Sequence, residues 1–269
     1  MNKFLTKNEV NFFNENGYLS PIKIMTAEKA NIYRSKLEIY EKNKGHTING
    51  IDRHKSHLLF HWVYEIVKNK SILDCIEDLL GKNILCWSSN FFIKEPNDKT
   101  YVSWHQDSEY WGLEPDDVIT AWIALSDASI ETGPMEVIPK SHKWENQIHK
   151  ETFKKNNLLS RGQEIKDISN LQEATAMPLK SGEISLHHVK LAHSSRINQT
   201  NDRRIGLAIR YTSTAVKQKN SDKDSALLLR GKDNYCNFIH ETPPKKDNDT
   251  NAVRNHKIAS ELHTKILMK

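Results

Sequence analysis

The chain has 269 residues, of which 37% are hydrophobic and 27% charged, with a formal net charge of +5. This is the composition of a soluble globular protein, long enough for one large domain or two small ones, and it excludes a disordered chain. No apolar run reaches the ~20 residues of a membrane span. The start, MNKFLTKNEVNFFNENG, has neither the apolar core nor the cleavage site of a signal peptide. A cytoplasmic location is therefore expected. The lysines are scattered among acids and no basic run interleaves with stacking aromatics, so neither nucleic acid nor membrane is an expected partner. A mild excess of base suits an anionic small molecule. Cys75, Cys86 and Cys236 lie far apart, form no CxxC and are expected to be buried free thiols of a reducing compartment.

The first third reads as helical. Thr6 and Glu9 form a capping box before Val10, Phe12 and Phe13, and Gly17 stops that helix. Thr26 caps a second helix through about Tyr40, with Ala30, Tyr33, Leu37 and Tyr40 on one face. Segments 57–68 and 71–80 are amphipathic, and Gly81 closes the latter. After Gly81 the pattern changes to short apolar runs punctuated by turns. They are NILCWSSNFFIK (83–94), VITAWIAL (118–125), MEVIP (135–139), ATAMPLK (174–180), EISLHH (183–188) and RIGLAIRYTST (204–214). Many strands with little helix between them predict an antiparallel sandwich or jelly roll. Residues 143–173 are polar and irregular, the texture of a lid or binding loop inserted between strands. Residues 250–268 predict a C-terminal helix with Ala252, Ala259, Leu262 and Ile266 on one side. No repeat or linker divides the chain. The expected organisation is a single domain over 1–269: a helical part to about 82, a β core over about 83–214 with its insertion 143–173, and an extension over 215–269.

The stretch SWHQDSEYW (103–111) sets His105 two residues before Asp107. On a strand such a pair points to one face. Two histidines and one carboxylate on one face of an octahedron bind iron in non-haem oxygenases and leave positions open. HxD alone also arises by chance as a solvated pair. A third ligand is offered by His187, His188 or His193. His193 opens a polar loop, and Arg204 begins the next apolar strand eleven residues on. A histidine leaving one strand and an arginine entering the next can share a cavity, where the arginine would take a carboxylate through two parallel hydrogen bonds. A metal with open positions beside such an arginine suggests a bidentate 2-oxo acid.

The pieces WHQD (104–107), TAW (120–122), ETGPMEVIPKSH (131–142) and SGEISLHH…AHSSRIN…RR (181–204) stand in this order over roughly residues 84–214. With them the chain resembles the phytanoyl-CoA dioxygenase family of Fe(II)- and 2-oxoglutarate-dependent oxygenases. The resemblance implies a mainly β fold with flanking helices, a double-stranded β-helix (jelly roll, cupin-like) core behind N-terminal helices. It implies that His105, Asp107 and His193 are the catalytic metal ligands. It implies that Arg204, at the family's offset from the distal histidine, clamps the far carboxylate of 2-oxoglutarate, and that Trp122 walls the cosubstrate pocket. Ser195 and Asn90 fall where family members contact the cosubstrate. Bland readings stand beside these: Trp122 as core, Asn90 as a strand-edge polar group, Ser195 as a loop former, His187 and His188 as packed histidines, His142 as holding a turn and Arg203 as solvated.

The implied reaction is hydroxylation of an unactivated C–H bond of a small polar or anionic metabolite, with O2 and 2-oxoglutarate consumed and succinate and carbon dioxide released. Family members that halogenate replace the carboxylate of the HxD motif with a small residue, so Asp107 favours hydroxylation. Desaturation or ring closure at the same iron centre is the alternative. Tyr110 and Trp111, close to the metal motif, and Arg161 and Arg210 are candidate substrate contacts, with Lys94 a further one. Solvated surface is the competing reading for Arg161 and Lys94, and a structural ion pair for Arg210. Two rivals of other classes are a non-catalytic cupin-like binding protein and a zinc hydrolase using Glu109 as its base.

Overall fold

A computed structural model describes residues 3–168 and 173–268; residues 169–172 of the predicted insertion lie outside it. In chain order the elements are α1 (Lys7–Asn16), β1 (Tyr18–Lys23), α2 (Ala27–Lys44), α3 (His61–Val67), α4 (Lys70–Leu80), β2 (Ile84–Lys94) and β3 (Val102–His105). There follow α5 (Ser108–Trp111), β4 (Leu113–Glu114), β5 (Val118–Ala124), β6 (Met135–Val137), β7 (His149–Glu151), β8 (Gln163–Ile165) and β9 (Thr175–Met177). The last are β10 (Glu183–His188), β11 (His193–Ser195), β12 (Arg204–Ser213), β13 (Lys217–Gln218), β14 (Ser225–Arg230), β15 (Ile239–His240) and α6 (Thr250–Leu267).

Two antiparallel sheets face each other. The larger has the order β1-β10-β5-β12-β2-β14-β15, with only its outer pair β14 and β15 parallel, and the smaller has the order β3-β11-β6-β9. The chain steps between them: β2, β5, β10 and β12 form the centre of the larger sheet, and β3, β6, β9 and β11 make the smaller. That is the double-stranded β-helix arrangement, open rather than closed into a barrel.

Strict alternation decides what each face does. Along β12, Ile205, Leu207, Ile209 and Tyr211 join the apolar core shared with α1 to α4, whereas Arg204, Ala208 and Arg210 line the space between the sheets. Along β5, Ile119, Ala121 and Ile123 face the helices, and Thr120 and Trp122 face inward. β2 carries a bulge: Arg210 pairs with Ser88 but Tyr211 with Cys86. The extra residue reverses the alternation, so Ile84 and Cys86 on one side of it and Phe91 on the other all reach the same core. The helices pack outside the β core as the sequence predicts.

The caps also follow the sequence. Glu9 N–H donates to the Thr6 hydroxyl (3.2 Å) and Thr6 N–H to the Glu9 carboxylate (2.7 Å), while Gly17 takes the left-handed conformation (φ 80°) that ends α1. Several expectations are corrected. Residues 18–23 form an edge strand. The insertion contains the β7–β8 hairpin, so it is not irregular throughout. Cys75 and Cys86 are buried, but Cys236 is exposed on a tight turn. Arg203 is not simply solvated, because it makes a bidentate pair with Glu41 (2.7 and 3.0 Å) and a further bond to Glu95.

A buried ionic knot fastens the C-terminal extension to β2. Lys55 Nζ donates to Glu241 (2.6 Å), to the Trp87 carbonyl (2.7 Å) and to the Ser225 carbonyl (2.8 Å), and His57 meets the other Glu241 oxygen at 3.1 Å. α6 then lies against the 50–60 segment, where His256 donates to the His54 carbonyl and His263 packs edge-on against Trp87.

Candidate active site

His105 ends β3 and pairs in register with His193, the first residue of β11. Asp107 was expected to extend the strand. Instead the backbone turns helical at Asp107 (φ −64°, ψ −35°) to start α5, and this turn swings the carboxylate back toward both imidazoles. One ligand atom from each of His105, Asp107 and His193 lies within 4.8 Å of the others, and all three residues are buried. His105 Nε2 is 3.3 Å and His193 Nε2 is 3.9 Å from the Asp107 carboxylate.

The outer hydrogen bonds fix the tautomers. His105 Nδ1 sits 2.9 Å from the Ser103 carbonyl and His193 Nδ1 sits 2.8 Å from the Leu191 carbonyl. A carbonyl only accepts, so each Nδ1 carries a proton and Nε2 is the nitrogen that each ring turns to the centre. Burial, then the neighbouring His105, push the His193 imidazolium down to about 4. Burial raises the Asp107 carboxyl, but the His105 hydrogen bond and the charges of His193 and His105 outweigh it and hold it well below the usual carboxylate range. Two imidazoles and one carboxylate form the donor set of a divalent metal of the Fe(II) type.

The triad opens on a cavity of about 140 Å³ between the sheets. On the opposite wall Arg204 is buried, donates to the Gly133 carbonyl (2.7 Å) and lies 5.2 Å from the centre of the Trp122 ring. Its Nε has no hydrogen-bond partner among the described residues. Trp122 fits beneath it because residue 206 is glycine: a Cβ there would overlap the indole. Ser195 lines the same end, and its hydroxyl accepts from Lys94 Nζ at 2.8 Å. Lys94 is fully buried, also donates to the Arg196 carbonyl, and is pushed down to about 6 by burial and by Arg204. Asn90 lines the cavity and bonds the His54 ring at 2.8 Å, leaving its Oδ1 unpaired.

The profile of the phytanoyl-CoA dioxygenase (PhyH) family matches residues 12–206. The chain belongs to the phytanoyl-CoA dioxygenase family. It is 31% identical over 177 residues to a probable alpha-ketoglutarate-dependent hypophosphite dioxygenase of Stutzerimonas stutzeri, a match covering 65% of this chain. The chain spans 61% of the length of that curated relative. Among solved structures, apo ThoJ, a non-heme monooxygenase, superposes with a TM-score of 0.86 at 30% identity over 96% of each chain. CytC3 with Fe(II) and alpha-ketoglutarate superposes with a TM-score of 0.69 at 22% identity, over 90% of this chain and 96% of that one, a likeness of fold.

Within this family fold, the remaining site residues fall into two groups. Tyr110 and Trp111 line the cavity as expected. Arg210 is buried on its wall without an ion pair among the described residues, so the structural ion pair is corrected. Arg161 turns outward: it pairs with Glu151 (2.9 Å) and lies 4.8 Å from the Tyr110 ring centre, while the cavity is lined by its neighbours Leu159, Ser160 and Gln163. Lys94 is neither solvated nor a cavity contact, since β2 carries it beneath Ser195. Glu109, the base a zinc hydrolase would need, is exposed and outside the cavity.

Four further residues shape the site: His187, which the sequence offered as a ligand or a packed histidine, and Thr120, His54 and Gln106, to which it gave no role. His187 faces inward and His188 outward; the His187 ring centre is 4.8 Å from that of His193. Thr120 sits beside His187 in the sheet register. His54, from the helical third, bridges to Asn90. Gln106, buried between two triad members, donates to the Lys190 carbonyl and accepts from Gln147 N–H, which ties the insertion to the metal motif. Only a glutamine at the middle of HxD signalled that role.

Proposed function

We propose that this chain is an Fe(II)- and 2-oxoglutarate-dependent dioxygenase. It hydroxylates an unactivated C–H bond of a small polar or anionic metabolite, with one O2 and one 2-oxoglutarate converted to hydroxyl product, succinate and carbon dioxide. The observation that carries this reading is a buried His-Asp-His donor set facing a buried arginine with an unpaired nitrogen across one cavity. His105, Asp107 and His193 would hold the iron, and Arg204 would clamp the far carboxylate of 2-oxoglutarate. When bound, the iron supplies oxygen activation coupled to decarboxylation of the 2-oxo acid.

The chain's own residues bind, orient and exclude water. The Ser103 and Leu191 carbonyls keep both histidines in the ligating tautomer. Trp122 supports the Arg204 guanidinium with its ring, and Ser195, backed by Lys94, offers a hydroxyl to the same carboxylate. Asn90, held by His54, faces the other end of the cosubstrate. Trp111, Phe92, Leu158 and Leu267 enclose the reaction in apolar surface. Because the first third (His54), the jelly roll and the C-terminal helix (Leu267) all contribute to one cavity, we take residues 1–269 to act as one domain.

Asp107 supports hydroxylation over halogenation, since its carboxylate would hold the iron where a halogenating enzyme needs room for a halide. The test is a panel of small metabolites scored by substrate-dependent succinate release and by mass gain of one oxygen in the product. A product two hydrogens lighter, without added oxygen, would replace hydroxylation by desaturation or ring closure.

A further inference from the structure

Arg210 has no role in the proposed handling of iron or 2-oxoglutarate, yet it is 6% exposed and lines the cavity. Its guanidinium stands 5.2 Å from the Trp111 ring centre and 5.5 Å from that of Phe92. Among the described residues its guanidinium makes one hydrogen bond, a long one of 3.4 Å to the Ala208 carbonyl of its own strand, and its Nε has no partner. No carboxylate lies within ion-pair distance of it among the described residues. A buried guanidinium left this way carries a desolvation cost that an anion from outside the chain would offset.

The sheet register puts Arg210 in a row with Thr120 and His187 on the neighbouring strands. The Thr120 hydroxyl and His187 Nδ1 are buried without hydrogen-bond partners among the described residues. His187 is in ring contact with His193, so this row stands at the level of the triad. Arg204 is six residues earlier on β12, roughly 20 Å along the strand from Arg210 at the backbone. The charges point the same way. Asp107, Arg204, a ferrous ion and a 2-oxoglutarate dianion sum to neutrality, so the charge on Arg210 is left over. Arg53, 5.8 Å from the Phe92 ring centre and with its own Nε unpaired, adds to the positive field at this end.

We infer that Arg210, with Thr120 and His187, anchors an oxyanion group of the substrate, and that the oxidised bond lies close to that group. The substrate class is a small molecule carrying a carboxylate or a phosphorus oxyanion, its apolar part set against Phe92 and Trp111. This rests on the proposed Fe(II) and 2-oxoglutarate reading of the same cavity.

The test is calorimetric titration, under argon, of the protein loaded with Fe(II) and 2-oxoglutarate. The probes are acetate, inorganic phosphate and methylphosphonate, applied to the unaltered chain and to Arg210→Gln and Arg210→Lys. At least one probe binds the unaltered complex with one site per chain. Arg210→Gln weakens it tenfold or more, Arg210→Lys restores part of the loss, and 2-oxoglutarate affinity stays within threefold in both. Tighter acetate assigns a carboxylate substrate, and tighter methylphosphonate a phosphorus oxyanion. The inference is overturned if no probe binds, if Arg210→Gln binds as well as the unaltered chain, or if the probe only displaces 2-oxoglutarate. It is also overturned if Arg210→Gln loses 2-oxoglutarate itself. Failure of the unaltered protein to bind 2-oxoglutarate would instead strike the iron and 2-oxo acid reading.

Discussion

Replacing Gly206 with alanine tests the proposed cosubstrate end of the cavity separately from the proposed metal end. The backbone tolerates the change, since Gly206 does not take a left-handed conformation, but the new Cβ overlaps three atoms of the Trp122 indole. Normal carbon contacts are about 3.5–4.0 Å, so the indole must move by more than an ångström. Overpacking of this kind costs about 1–3 kcal/mol, and a domain of this size loses about 2–4 °C per kcal/mol. The melting midpoint should fall by roughly 2–12 °C. The displaced ring no longer supports Arg204, so a charge-assisted bond worth about 1.5–3 kcal/mol is misaimed and 2-oxoglutarate affinity should drop tenfold or more. Iron binding should be kept, because His105 on β3, Asp107 at the start of α5 and His193 on β11 all lie off the strands β12 and β5 that carry Gly206 and Trp122. The assays are thermal denaturation, anaerobic 2-oxoglutarate titration and iron content. Adding Trp122→Leu should recover part of the lost stability through coupling of the two sites. An alanine variant with unchanged stability and unchanged 2-oxoglutarate affinity would refute the packing of Trp122 beneath Arg204.

Arg204→Met should weaken 2-oxoglutarate by roughly 100-fold and leave iron content intact; loss of iron as well would mean the arginine supports the triad. Glu241→Gln should destabilise the fold by about 3–5 kcal/mol, as Lys55 is left buried without its partner, read by urea denaturation. Burial raises the Glu241 carboxyl, but Lys55 and His57 outweigh it and bring it down to about 2. Its stabilisation is therefore complete above the ordinary value of 4.5 and is lost as pH falls toward 2, a dependence that should shrink in the Gln variant. His54, His188 and His193 are each pushed down to about 4, chiefly by burial. They are neutral in the fold and ordinary when unfolded, so stability of the metal-free protein should be full above pH 6.5 and decline toward pH 4. A flat denaturation profile across that window would contradict their burial.

The β core was legible because its strands obey a period of two between turn residues: EISLHH is found as β10 without adjustment, and RIGLAIRYTST as β12 but for one residue. The caps at Thr6, Thr26, Gly17 and Gly81 were legible because each satisfies backbone groups locally. What was not legible depends on distant partners. YLSPIK becomes a strand only because β10 offers it an edge. Lys94 reads as a surface lysine until its strand runs beneath Ser195. Arg203 reads as solvated until α2 brings Glu41 to it. For the site, His105, Asp107, His193 and Arg204 could be named through the family resemblance that the order of the motifs carries, and the fold brings them to one cavity. Arg161 and Arg210 looked alike in the sequence, and only the register of β12 and the hairpin of the insertion turn one inward and the other out. His54 carried no signal, because its link to Asn90 joins the helical third to the jelly roll.

The central claim is that this cavity holds Fe(II) and 2-oxoglutarate together. The direct measurement is the visible absorption of the protein mixed with both under argon, titrated to stoichiometry. The account predicts a weak metal-to-ligand charge-transfer band that saturates at one 2-oxoglutarate per chain, is absent in Asp107→Ala, and needs far more cosubstrate in Arg204→Met. No band, or the same band at the same concentrations in both variants, would contradict it.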